Sequence, residues 1–309
     1  MNRVSVVGSL HLDILVEAPR LPSSDETLAG RAWSQKCGGK GGNQAVAAAR
    51  FGAHCAMGGR IGDDDFGRKL RGHLRQAGVD DACIGTDPAA GSGMSVAIQE
   101  ANGEYGAVIV SGANLTIDAD AIERDWAPLW GADILMLQNE VPEAVNLIAA
   151  RLARAAGCRV LLNAAPARPL STELVQLTDI LVLNRVEAEH MHGRPLRNRH
   201  DVAQAAELMH RSGQDLIITM GREGLHLMTA AGQNIDQPAF AATVRSAHGA
   251  GDCFCGALVA RLALGEEIAV ACDFARAAAA LFVAATPDAQ ATLSARQVHA
   301  FAAKTEKAG

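Results

Sequence analysis

The chain has 309 residues, 49% of them apolar and 20% charged, with a net charge of −6. That length buries a full core without help from metal or disulfide, and the acidic balance lacks the basic face of a general nucleic-acid binder. An anionic ligand must therefore be held by local groups rather than by the overall field.

In chain order, residues 4–8 read as a first strand, and His11 and Asp13 interrupt the apolar stretch where a signal-peptide core would run. Residues 14–35 are strand-like and proline-containing. A glycine-rich segment, Cys37-Gly38-Gly39-Lys40-Gly41-Gly42-Asn43-Gln44, opens a predicted helix at 45–50. A strand at 56–61 follows, and Asp63-Asp64-Asp65 lacks calcium-loop spacing and caps a helix starting near Phe66. Residues 94–99 and 105–111 flank Asn102-Gly103, a hairpin signal. Then strands at 133–137, 159–162, 179–183 and 216–220 alternate with helical patterns such as 143–156 and 201–211.

Near-continuous apolar strands alternating with helices predict an α/β fold, with a mostly parallel central sheet and helices on both faces. The two pieces that break the rhythm, 14–35 and 93–111, are expected to form a small β lid. The core is then 1–13, 36–92 and 112–309. The longest apolar run, 277–286, is about half a membrane span. Seven cysteines, an odd number without framework spacing, read as reduced thiols of a cytoplasmic protein.

Polar residues gather at the strand ends: Gln138, Asn139 and Glu140 after one, Asn163 after the next, Asn184 and Glu187 after a third, Gly221 after a fourth. In open α/β sheets ligands bind outside the carboxyl ends of the strands. The glycine-rich segment is neither a Walker A loop, since no Ser or Thr follows Lys40, nor a dinucleotide fingerprint, whose third glycine would fall on Gln44. Its glycines allow close backbone approach to a ligand, with Lys40 and Asn43 as donors.

His248-Gly249-Ala250-Gly251-Asp252 precedes a predicted helix at 253–264. Backbone N–H groups there would form an anion site, and Asp252 reads either as a helix N-cap or as a base beside a bound anion. An anion hole with an adjacent base suits phosphoryl transfer. His190 and His192, like Cys253 and Cys255, are two apart and would not share a metal on a helix.

These motifs together resemble those of the ribokinase-like sugar kinases over nearly the full length. Gly8-Ser9-x-x-x-Asp13, the segment from Gly38 to Ala49, Gly112-Ala113-Asn114, Leu137-Gln138-Asn139-Glu140 and Leu162-Asn163-Ala164-Ala165-Pro166-Ala167 look like the sugar-side motifs. Asn184-x-x-Glu187, Thr219-x-Gly221-x-x-Gly224 and Gly249-Ala250-Gly251-Asp252 look like the nucleotide side. The resemblance implies transfer of the ATP γ-phosphoryl to a primary hydroxyl of a sugar, D-ribose first. It also implies a β lid that serves as a homodimer interface.

By motif position Asp252 would be the base, with Gly249, Ala250 and Gly251 as the anion hole. His11, Asp13, Gly39, Lys40, Asn43 and Glu140 would bind the sugar. Asn184, Thr219, Gly221 and Gly224 would serve the nucleotide, and Glu187 would hold Mg²⁺ through water. The family usually has Asn at position 11 and Asp at 246; His11 and Ser246 depart from it, as does the lid segment Pro22-Ser23-Ser24-Asp25-Glu26-Thr27. Ser246 and Asp288 would then form a degenerate monovalent-cation site, with K⁺ activation weak or absent. Two alternatives are a kinase for 2-deoxyribose, fructose or a nucleoside, and a nicotinamide-dependent oxidoreductase.

Overall fold

The computed structural model describes residues 2–100 and 104–306. Strands β1 (Arg3–Val7), β2 (His11–Ala18), β3 (Ala32–Gly38), β4 (His54–Gly62), β5 (Asp80–Asp87), β6 (Gly93–Glu100) and β7 (Tyr105–Val110) come first. Then follow β8 (Ile134–Gln138), β9 (Arg159–Asn163), β10 (Ile180–Asn184), β11 (Asp215–Thr219), β12 (Leu225–Met228) and β13 (Asn234–Gln237). Nine of them form one sheet in the order β13-β12-β11-β10-β9-β8-β1-β4-β5, parallel except for the two antiparallel strands at the β13 end. The expected fold class is observed. The strands β5, β12 and β13 were not anticipated: β5 and β13 are the sheet's two edges, where several residues are exposed and the continuous apolar signal is lost, while β12, between β13 and β11, is a buried run of only four residues that includes His226.

Helices α1 (Lys40–Arg50), α2 (Asp65–Gln76), α3 (Ala119–Asp125), α4 (Glu143–Ala155), α5 (Thr172–Leu177), α6 (Arg185–His192) and α7 (Arg199–Met209) connect the strands. They are followed by α8 (Ala250–Leu262), α9 (Ile268–Ala284), α10 (Pro287–Ala291) and α11 (Ala295–Glu306). Successive strand side chains point to opposite faces. Val4, Val6, Ile134 and Met136 therefore pack with α1, α2, α8 and α9, while Val7, Leu135 and Leu137 pack with α3, α4 and α7. Asp64 caps α2 as expected, accepting the Gly67 N–H at 2.7 Å. All seven cysteines are free thiols.

The four remaining strands form a second sheet in the order β3-β2-β6-β7. Only β2 and β3 are strands within the strand-like region 14–35 and its borders; residues between them form no regular element. β2 starts at His11, so His11 and Asp13 belong to this second sheet. The hairpin turn at Asn102-Gly103 lies outside the described residues.

The chain runs β1, β4, β5 in one direction across the large sheet and β8 through β11 in the other. The reversal falls between β1 and β8, which are paired with Val7 beside Leu137. Connections diverge above and below the sheet at such a point and leave a crevice beyond the strand ends. Gly8-Ser9 and Gln138-Asn139-Glu140 leave their strands there.

Candidate active site

Helix α1 begins at Lys40, five residues before the expected start, so Lys40-Gly41-Gly42-Asn43 form its first turn rather than a loop, while Cys37 and Gly38 end β3. Glycine is a poor helix former, but here the helix end sits directly on the β1–β2 connection. A Cβ on Gly41 would lie 2.7 Å from the Gly8 carbonyl carbon, and one on Gly42 2.8 Å from Leu10 Cδ2. Gly39, the N-cap, has φ 83°, a left-handed conformation that a larger residue adopts only with strain.

This docking lets Glu140 Oε2 accept from the Lys40 backbone N–H at 2.8 Å and from the Ser9 hydroxyl. His11 Nδ1 stands 3.8 Å from the same oxygen. His11 is buried, and its Nε2 has no partner among the described residues. Its ring occupies space left by Gly93, where a Cβ would meet His11 Cδ2 at 2.5 Å. On the same face of β2, Asp13 accepts from the Ser95 hydroxyl, with its carboxylate over Gly38.

Asp252 is not an N-cap. The cap of α8 is Gly249, which has φ 79°, and Asp252 is the third helical residue. The helix starts at Ala250 instead of the expected 253. Ala250 N–H donates to Ala247 O at 3.2 Å, and Cys253 N–H to Gly249 O at 2.9 Å. That leaves Gly251 and Asp252 as first-turn N–H groups, which have no acceptor within a helix. The Asp252 carboxylate accepts from Asn43 Nδ2 at Oδ2 and from Gln44 Nε2 at Oδ1, both at 3.0 Å. Asn43 therefore faces Asp252 through one of its two amide N–H groups.

Burial pushes the Asp252 carboxyl above its ordinary range, while the Lys40 ammonium and the two amides favour its charged form. The same holds for Glu187: burial raises it, and bonds from Asn184 and the field of Lys40 oppose the rise. Asn184 ends β10 and caps α6 in a reciprocal capping box with Glu187, each backbone N–H bonded to the other's side chain. Thr219 ends β11 and donates to Leu183 O at 3.4 Å. Gly221 and Gly224 bracket the turn after it, and Arg185 pairs with Glu223 at 2.5 Å across the two loops.

A cavity of about 170 Å³ brings these pieces together: Lys40, Asn184, Glu187, Thr219, Gly249, Gly251 and Asp252 line it. Gly221 and Gly224 lie outside that lining, as do Gly39, Asn43, Ala250, His11, Asp13 and Glu140; of these Glu140 is bonded to the Lys40 backbone. Ser246 and Asp288 are exposed. Ser246 Oγ accepts the His248 N–H, and Asp288 lies in the first turn of α10 rather than in an open turn. A larger cavity, about 380 Å³, lies by β4 and β5 under α3 and contains none of the candidate residues.

Sequence reasoning had not assigned Ser9, Gln44, Asn163 or Ser95 to the site. Ser9, Gln44 and Asn163 stood inside the quoted motifs, but only the packing of α1 on β1 and α8 reveals that Ser9 holds Glu140, that Gln44 holds Asp252 and that Asn163 accepts from Gln44.

Residues 1–294 match the family model described as pfkB family carbohydrate kinase. The chain belongs to that family. The kinase is 33% identical to the ribokinase of Haemophilus influenzae over 295 residues, which is 95% of this chain and 96% of that one. It is 32% identical to a deoxyribokinase of Salmonella typhi, covering 82% of this chain and 83% of that one. The structure of Arabidopsis thaliana ribokinase complexed with ribose and ATP superimposes with a TM-score of 0.90 at 28% identity, covering 97% of this chain and 98% of the other. This carbohydrate kinase is therefore an ATP-dependent phosphotransferase, and the oxidoreductase alternative falls. Among the described residues no helix is long and apolar enough to cross a membrane.

Proposed function

We propose that this kinase phosphorylates the primary hydroxyl of a pentose, D-ribose, giving ribose 5-phosphate. The observation that carries the reading is Asp252: a buried carboxylate at the start of α8, between the Lys40–Glu140 crevice and the Asn184–Glu187 loop. In this reading Asp252 takes the hydroxyl proton, and the Gly249–Gly251 helix start stabilises the transferring phosphoryl. His11, Asp13, Gly39, Lys40, Asn43 and Glu140 bind sugar hydroxyls. Asn184, Thr219, Gly221 and Gly224 receive the nucleotide. Similarity to the ribokinases supports the pentose, and that to a deoxyribokinase makes 2-deoxyribose the second reading.

A coupled assay for ADP release over ribose, 2-deoxyribose, fructose and a nucleoside tests it. The expected result is the highest kcat/KM with ribose. A hexose or nucleoside preferred over both pentoses overturns it.

Among the described residues no cluster of three or more metal-ligating side chains is assembled. Mg²⁺ keeps several waters and is commonly bound by one or two carboxylates together with substrate phosphates. One buried carboxylate facing the cleft, Glu187, fits that pattern through a water. Mg²⁺ held there would supply positive charge to the nucleotide phosphates. For the monovalent cation, a hydroxyl at Ser246 replaces a carboxylate and Asp288 faces solvent, which supports weak K⁺ activation.

The small sheet, with segments 14–35 and 93–111, acts as the lid over the sugar in this reading. Its outer face carries Val16, Trp33, Ile98 and Val108 on adjoining strands, with Trp33 67% and Val108 68% exposed. An apolar sheet face of this kind supports a homodimer formed through the lid. The free thiols support a cytoplasmic location.

A further inference from the structure

The two amides that hold Asp252 are not equivalent. Asn43 makes one bond to the carboxylate and is only partly buried. Gln44 is fully buried, and its Nε2 donates both to Asp252 Oδ1 and to Asn163 Oδ1, each at 3.0 Å. Asn163 in turn donates to Val182 O on β10 at 3.4 Å. Turning the Gln44 amide over would set its oxygen against two acceptors, so its orientation is fixed. The backbone is equally fixed. A Cβ on Gly256 of α8 would lie 2.4 Å from Ala47 Cβ and 2.8 Å from Gln44 O, so the two helices touch at that glycine.

We propose that Gln44 is a positioning residue: it pins Asp252 Oδ1 and leaves Oδ2 to receive the substrate proton once Asn43 turns to the sugar. The inference rests on Asp252 being the base. In the step, the hydroxyl O–H bond breaks and its proton goes to Oδ2. The oxygen's electron pair forms the bond to the γ-phosphorus, and the bond from that phosphorus to the bridging oxygen breaks, its pair leaving on ADP. A carboxylate fixed at one oxygen keeps the other within reach of the hydroxyl, and an N–H donated to it favours the ionised form. The other charged or titratable groups facing Asp252 are Lys40 on α1, Glu140 after β8, Glu187 on α6, and Cys253 and Cys255 on α8. Substitution at Gln44 leaves all of them in place.

The test compares wild type, Gln44→Met, Gln44→Glu and Asp252→Asn by sugar-kinase kinetics between pH 5.5 and 9. Gln44→Met keeps the length and removes the donor. It is expected to lower kcat about tenfold with sugar KM nearly unchanged, and to move the acid limb of kcat/KM up by about one pH unit. Gln44→Glu, of the same shape, is expected to move that limb further, because a second carboxylate then faces the first. If Gln44→Met does not fold, Gln44→Glu carries the same outcomes. An acid limb that stays at the wild-type position in both variants overturns the inference. Activity retained by Asp252→Asn overturns the assignment of the base itself, and the inference with it. Loss in Asp252→Asn with an unmoved limb in the Gln44 variants removes only the role of Gln44.

Discussion

On the α1 side of the cleft, Glu140 takes its bonds from Ser9 and Lys40, 131 and 100 positions away, and Asp13 takes one from Ser95, 82 positions away. On the α6 side, Asn184 and Glu187 bond each other three positions apart, and the Gly221–Gly224 turn closes on itself through Met220 N–H to Gly224 O. The first geometry exists only when β1, β2, α1 and β8 have docked. The second forms with its own helix and turn. The lesson is that the proposed sugar contacts depend on tertiary packing and the proposed nucleotide contacts on local backbone. Damage on one side should therefore stay on that side, and Asp252, which joins them, should be the exception.

Asp252 gives the largest expected effect. Asp252→Asn should reduce kcat by ~10²–10⁴-fold, the usual worth of general-base assistance, with KM for ATP nearly unchanged. Because burial raises this carboxyl, wild-type activity should fall on acidification at a pH above the ordinary carboxylate range, as Asp252 takes up a proton. An Asn variant with more than half the wild-type kcat would contradict this. The next effect sharpens the division. Glu140→Ala removes a charged acceptor of two hydrogen bonds, and at ~1.5–3 kcal/mol for a bond to a charged group the sugar KM should rise about 10- to 100-fold. KM for ATP should hold. The reverse pattern would break the two-sided description.

Asn184→Ala probes the local side. Losing an N-cap costs ~1 kcal/mol, so thermal unfolding should shift down modestly while KM for MgATP rises and sugar KM stays put. A change confined to the sugar KM would show that α6 does not face the nucleotide. The smallest expected effect is at His11. With Nε2 buried and without a partner among the described residues, a substrate hydroxyl that meets it is recognised by one hydrogen bond, worth ~0.5–1.5 kcal/mol. His11→Ala should then shrink the ratio of kcat/KM for ribose over 2-deoxyribose by several-fold. An unchanged ratio would remove His11 from hydroxyl selection.

Much of the site was legible because its motifs sit at strand ends. Lys40, Glu140, Asn184, Glu187, Thr219 and Asp252 could be picked out from that rule and from the family resemblance. The misreadings share a cause. The start of α1 was placed too late because Gly41 and Gly42 argue against a helix, and nothing local shows that β1 and Leu10 leave space for nothing larger. Asp252 invited a cap reading because Asp before a helical pattern is commonly a cap. Gly249 takes that position instead, three residues earlier. Gln44 was read only as the end of the glycine-rich segment and given no role, since its partners Asp252 and Asn163 lie far along the chain.

The sequence by itself determined the layered architecture. Apolar residues run nearly without interruption through β1, β8, β9, β10 and β11, and such strands must be covered on both faces. It also determined where polar chemistry would be exposed, because carboxyl ends of parallel strands open on one edge. The tertiary structure alone decided the edge strands β5 and β13, the short strand β12 beside β13, and which side chains share a carboxylate. Pattern and propensity act over a few residues, so they specify elements. Bonds such as Lys40 to Glu140 and Gln44 to Asp252 join elements 100 and 208 positions apart, and exist only after glycines at 41 and 256 have let the helices close.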